Sequence, residues 1–137
     1  MAEQLAAPVA LVVDDDLSYR VFMRQYLELA GFTVIMEGSG QIALRRLEQQ
    51  KVDVLVTDLF MPEVDGLELI ELARRGFPQM RVVAVSGGGT QGDTGYLRVA
   101  RLFGAHATLQ KPFSGSELIA AVAPERAAPE SEAKPPG

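Results

Sequence analysis

Four places in this sequence hold side chains able to manage a strongly charged group: the run Asp14, Asp15, Asp16, the single Asp58, Ser86, and Lys111. Each closes an apolar stretch. "ALVVDDD" ends in acids, "VLVTD" in Asp58, "VVAVS" in Ser86 and "ATLQK" in Lys111. Carboxylates brought to one point repel, by roughly 4 kcal/mol per pair at ~4 Å and an effective dielectric near 20. Lys111 supplies one compensating charge, and a hard divalent cation would supply the rest. A site of oxygen ligands without Cys or His favours Mg2+ (or Mn2+) over zinc or copper. Magnesium usually takes one or two carboxylates and leaves places for water and phosphoryl oxygens. An aspartate beside such an ion can attack a phosphoryl group to form an aspartyl phosphate. Lys111 and the metal would neutralise the transferring charge, and Ser86 would hydrogen-bond a phosphoryl oxygen.

Taken singly, each residue has a plainer role. Asp58 is a strand-end turn residue, and Asp14, Asp15 and Asp16 are helix N-cap or first-turn acids favoured by the dipole. Ser86 is a loop serine and Lys111 a solvated edge residue. Only convergence distinguishes the two readings, so the elements that carry these residues decide the matter.

Five runs read as strands: "VALVV" (9–13), "TVIM" (33–36), "VDVLVT" (52–57), "RVVAV" (81–85) and "ATLQ" (107–110). The first four are rich in β-branched residues without strict alternation, as strands buried on both faces of a parallel sheet are. Between them lie helical spacings. Tyr19, Phe22, Met23, Tyr26, Leu27 and Ala30 form one apolar face, followed by Ala43, Leu44 and Leu47, then Leu69, Ile70 and Ala73. Tyr96, Val99, Ala100 and Phe103 mark the fourth helix, and Leu118, Ile119 and Val122 the fifth. Ser39 reads as an N-cap, Ser114 and Glu117 as a capping box, and Gly31, Gly76 and Gly104 as C-terminal glycines. Strict strand–helix alternation implies right-handed βαβ units with helices on both faces of a parallel sheet. Ligands of such sheets bind beyond the carboxyl ends of the strands, where the acids, the serine and the lysine sit.

Composition narrows the function classes. The chain of 137 residues suits one domain with a real core. It contains no cysteine, which removes disulfides, thiolate catalysis and cysteine-based zinc sites. The net charge of −5 argues against a basic nucleic-acid face. The N-terminal "MAEQLAAPVA" lacks the basic and apolar regions of a secretory signal, and no window is apolar enough to span a bilayer. A cytoplasmic location is expected. Residues 8–123 are expected to form the folded domain. Residues 124–137, "PERAAPESEAKPPG", are expected to be a disordered Pro/Ala/Glu-rich tail. His106, the single histidine, reads as a surface residue rather than a phosphorylated one.

With these residues in view, the chain resembles a response regulator receiver domain of two-component signalling over residues 8 to about 123. The resemblance rests on "LVVDDD", "TDLFMPEVDGLEL", "AVSG" and "QKPF" in order, each at a strand end. It implies a flavodoxin-like (βα)5 fold with a five-stranded parallel sheet in the order 2-1-3-4-5. It also implies that Asp58 is the phosphoacceptor. Asp14, Asp15, Asp58 and the backbone carbonyl of Phe60 would bind magnesium, and Ser86 and Lys111 the phosphoryl group. Lys111–Pro112 is expected to be cis. A histidine kinase or phosphotransfer protein would be the donor, and a downstream protein the target. The domain would be a monomer or a phosphorylation-dependent dimer.

Two departures stand out. Position 108, three before the lysine, holds Thr108 where family members usually carry a switching aromatic. The loop after Ser86, "GGGTQGDTG", has five glycines in nine residues and is expected to be mobile. It lacks the spacing of a nucleotide-binding loop. Two other functions fit part of the pattern. One is a phosphorylation-independent interaction module, which the acid–serine–lysine set argues against. The other is a magnesium-dependent phosphatase, which Phe60 argues against by standing where a second acid would be needed.

Overall fold

The computed structural model describes residues 6–61, 65–87 and 95–126. Strands and helices alternate as β1 (Val9–Val13), α1 (Leu17–Leu29), β2 (Thr33–Glu37), α2 (Gly40–Gln49), β3 (Val54–Asp58), α3 (Gly66–Gly76), β4 (Arg81–Ser86), α4 (Gly95–Phe103), β5 (Ala107–Gln110) and α5 (Gly115–Val122). A 3₁₀ turn, Pro124–Arg126, follows α5. All paired strands are parallel, in the order β2-β1-β3-β4-β5. This is the flavodoxin-like arrangement. The strand order reverses between β1 and β3, which opens a crevice at their carboxyl ends.

Because successive strand side chains point to opposite faces, β1 to β4 each feed two cores. On one face Leu11, Val13, Leu55, Val82 and Ala84 pack with Ala43, Leu47, Leu69, Ile70, Ala73, Leu97 and Ala100 of α2, α3 and α4. On the other, Ala10, Val12, Val54, Val56, Val83 and Val85 pack with Met23 and Leu27 of α1 and Leu118 and Val122 of α5. Burying a side chain of this size contributes about 1.5–3 kcal/mol. Two such layers hold the central strands rigid, and with them whatever their ends carry.

Local signals set the helix starts. Asp16 accepts a hydrogen bond from Ser18 N (2.9 Å), Ser39 from Ile42 N (3.4 Å) and Asp65 from Glu68 N (2.9 Å). Ser114 and Glu117 complete a capping box. Gly31 and Gly104 adopt φ of 97° and 119°, as helix-ending glycines do. Gly76 differs from its expected role: it is the last residue of α3, and the cap is Phe77, whose N–H reaches Ala73 O at 2.8 Å.

Two boundaries shift in ways that matter. β3 begins at Val54 and runs through Asp58, and β4 runs through Ser86, so both residues lie within the ladder, Asp58 opposite Val85. α4 presents Leu97 and Ala100 to the core, while Tyr96 and Phe103 are 45% and 40% exposed. A one-residue change of register turns a helical stripe by about 100°. The short α4 leaves its aromatic residues outside and buries the smaller Leu97–Ala100 pair against β4, β5 and α3. The glycine loop 88–94, Pro62 and residues 127–137 lie outside the described residues. Lys111–Pro112 is cis. Among the described residues no helix is long and apolar enough to cross a membrane.

Candidate functional site

The crevice at the carboxyl end of β1 and β3 gathers the acids. Asp14 follows β1 and is wholly buried. Its backbone is fixed from both sides: its N–H donates to Glu37 O at 3.1 Å, and Arg20 Nη1 donates to its carbonyl at 2.8 Å. Asp14 Oδ1 accepts from Asp16 N at 2.9 Å. Its Oδ2 is paired with the Lys111 ammonium at 2.9 Å.

Asp58, the last residue of β3, is 5% exposed. Its Oδ1 accepts weakly from Phe60 N at 3.4 Å, and its Oδ2 lies 3.7 Å from Lys111 Nζ. The turn that follows is held by Leu59 N to Val85 O (2.9 Å) and Gly66 N to Leu59 O (3.1 Å). Gly66 is obligatory there: a Cβ would run into the Asp58 carbonyl oxygen and Leu59 Cα. Ser86 ends β4, buried, and its carbonyl accepts from Lys111 N at 2.9 Å, so the ends of β4 and β5 are tied together.

The charges at this point do not balance. Asp14, Asp15 and Asp58 each offer a carboxylate oxygen, all within 4.8 Å of one another, against the one lysine. Burial, then the Asp14 carboxylate, push Asp58 up from 3.8 to about 6, although Lys111 and the Phe60 N–H pull the other way. For Lys111, burial alone would favour the neutral amine. The close Asp14 carboxylate, helped by Asp58, outweighs it and raises the pKa. The excess of negative charge and an all-oxygen donor set fit a hard divalent ion. Asp15, exposed beside two buried acids, leaves one side of the cluster open to solvent.

The structure thus brings Asp14, Asp15, Asp58 and Lys111 together and places Ser86 and Phe60 on the strand and turn that border them. Thr108 lies on β5 opposite Ala84, with its hydroxyl 3.5 Å from Arg101 Nη2. His106 is elsewhere, at the amino end of β5, where its Nδ1 accepts from Val82 N at 2.9 Å. Two residues escaped the sequence reading. Arg20 holds the Asp14 carbonyl, and Tyr19, assigned to the apolar face of α1, presents its ring to Lys111 with Nζ 4.1 Å from the centroid. The available signal was their place on the first turn after the acids.

Comparison with known proteins agrees with this geometry. A family model for the response regulator receiver domain matches residues 10–123. The C4-dicarboxylate transport transcriptional regulatory protein DctD of Rhizobium meliloti (strain 1021) is 35% identical over 114 residues, covering 83% of this chain and 24% of DctD. The alkaline phosphatase synthesis transcriptional regulatory protein PhoP of Bacillus subtilis (strain 168) is 35% identical over 133 residues, covering 90% of this chain and 52% of PhoP. The chain therefore spans between a quarter and about half of the length of these relatives. Among solved structures, a response regulator from Thermotoga maritima matches with a TM-score of 0.76 and 28% identity, covering 89% of this chain and 99% of that one.

Proposed function

The chain belongs to the response regulator receiver family, and from that membership we propose that Asp58 accepts a phosphoryl group from a histidine kinase or phosphotransfer protein. The observation that carries the proposal is the cluster itself: three carboxylates within 4.8 Å, bridged on one side by the Lys111 ammonium. Asp14, Asp15, Asp58 and the Phe60 carbonyl would hold Mg2+, with Mn2+ as a substitute. When bound, the ion would offset charge on the acids and on the transferring phosphoryl group. An Asp58 oxygen forms the new P–O bond as the P–N bond to the donor imidazole breaks. The electron pair stays on that nitrogen, which takes a proton from solvent. Lys111 balances charge on the phosphoryl oxygens, and the Ser86 hydroxyl donates to one of them.

The modified residue carries about −1.5 to −2 charge and new acceptor oxygens. It biases an existing equilibrium of the surrounding loops, which a downstream protein reads. We read the chemistry as self-phosphorylation and self-dephosphorylation rather than turnover of an outside substrate. Residues 8–123 would be the receiver, residues 124–137 a tail, and the location cytoplasmic. DctD and PhoP are named as transcriptional regulatory proteins. The net charge of −5 on this chain argues against nonspecific nucleic-acid binding, so we place its output in a protein partner.

Incubation with acetyl phosphate and magnesium should label the wild-type protein, and Asp58→Asn should remain unlabelled. Equal labelling of the two would move the acceptor elsewhere.

A further inference from the structure

The ammonium of Lys111 has three near neighbours: Asp14 Oδ2 at 2.9 Å, Asp58 Oδ2 at 3.7 Å and the face of Tyr19, whose centroid is 4.1 Å away. Two are carboxylates that a metal ion or a phosphoryl group would engage. The third is a ring that neither can neutralise. We infer that Tyr19 is a positioning residue for Lys111, its ring face holding the ammonium beside the acceptor through a cation–π contact. The inference rests on the proposed role of Lys111 and extends it to a residue of α1.

Three observations support it. A lysine ammonium is a point charge on a flexible four-carbon stem, so direction must come from its surroundings. Here the side chain is 14% exposed, and its stem passes the Gly87 backbone so closely that a Cβ there would lie 3.2 Å from Lys111 Cδ. The ring is itself fixed. Tyr19 meets Phe22 edge-on at 5.9 Å and Phe113 at 5.7 Å, and Phe22 meets Tyr26 at 5.3 Å. Phe113 lies two residues beyond Lys111, so the same aromatic cluster borders both ends of the segment carrying the ammonium. Finally, β5 has Thr108 and no aromatic on its side of the site, whereas α1 supplies one in direct contact with the lysine.

A cation over a ring face is attracted by the ring quadrupole, most strongly where water is excluded.

The test compares acetyl phosphate labelling of the wild type, Tyr19→Leu, Tyr19→Phe and Lys111→Ala, with magnesium affinity measured alongside. Tyr19→Leu keeps an apolar side chain against Phe22 and Phe113 but removes the ring face. It should label roughly three- to tenfold more slowly at saturating magnesium, the scale of a partly desolvated cation–π contact. Its magnesium affinity should be unchanged, because the acids remain. Tyr19→Phe restores the face without the hydroxyl and should recover most of the rate. In wild type, proton resonances of the Lys111 side chain near Nζ should be displaced upfield by the ring current and return to ordinary values in Tyr19→Leu. A wild-type spectrum without that displacement overturns the inference even if Tyr19→Leu fails to fold. So does a folded Tyr19→Leu that labels at the wild-type rate while Lys111→Ala is slow. If Lys111→Ala itself labels like wild type, the assigned role of the lysine falls first and Tyr19 with it.

Discussion

The two rims of the sheet use the same kinds of side chain to opposite ends. At the amino ends of the strands, Asp53 Oδ2 accepts from Val9 N at 2.8 Å, His106 Nδ1 accepts from Val82 N at 2.9 Å, and Arg81 Nε donates to Ala121 O at 2.8 Å. These polar groups complete the hydrogen bonding of backbone that would otherwise end unpaired. At the carboxyl ends, Asp14 and Asp58 share the single ammonium of Lys111, at 2.9 and 3.7 Å. At the first rim these side chains are engaged with backbone groups. The second retains an electrostatic imbalance that a ligand can relieve, and this makes it the reactive one.

The largest expected effect tests how tightly the reactive rim is built. Gly66→Ala would force a Cβ into the Asp58 carbonyl and Leu59 Cα, backbone atoms that cannot swing away. The variant should lose about 3 kcal/mol or more in denaturant unfolding, the upper range for overpacking. A loss below about 1 kcal/mol would show that the β3–α3 turn is looser than the close packing implies.

Next comes the imbalance itself. Asp58 titrates at about 6 in the folded protein against 3.8 for an ordinary aspartate. The native state therefore binds more protons than the unfolded chain between these values, and stability falls as pH rises from about 4 to about 6, staying reduced above. Asp58→Asn removes the charge, so without metal at pH 7 it should be more stable than wild type by about 1–3 kcal/mol. The advantage should shrink towards pH 4. Magnesium should raise the melting temperature of the wild type and leave that of the variant nearly unmoved. A destabilised Asp58→Asn at pH 7 would contradict the charge imbalance.

His106 sharpens the contrast with a smaller effect of opposite sign. Burial, with Arg74 and Arg81 nearby, holds its pKa below 6.5 and outweighs a backbone contact with Val82 that acts the other way. The unfolded chain then binds the extra proton, so this group favours folding above 6.5 and loses that contribution as pH falls. His106→Ala should cost about 1 kcal/mol through the unpaired Val82 N–H and flatten the acid side of the stability profile, while leaving phosphoryl labelling intact. A change in labelling rate would show that the two rims are coupled.

Much of this was legible in the sequence. The alternation of strands and helices follows from periodicity, and Asp16, Ser39 and the Ser114–Glu117 box act as caps through contacts within a turn. Glu37 was less legible: nothing about a strand-end acid announces that it pairs with Arg46 at 2.7 Å. α4 was misread because Tyr96, Val99, Ala100 and Phe103 share a helical stripe as well as Leu97 and Ala100 do. Only the neighbouring β4, β5 and α3 choose between them. Tyr19 does pack against the core from the apolar face of α1, but the helical spacing that places it there says nothing of its contact with Lys111.

By itself the sequence determined which side chains end the strands and in what order the elements run, since residue type, capping and hydrophobic period act over a few neighbours. The tertiary structure alone decided that Asp14, Asp58 and Lys111 stand within about one salt-bridge length, and that Asp58 is held near 6. It also decided that Lys111 meets the face of Tyr19. Coulomb and desolvation energies depend on separation and on water excluded by segments remote in the chain, and no local pattern encodes those distances.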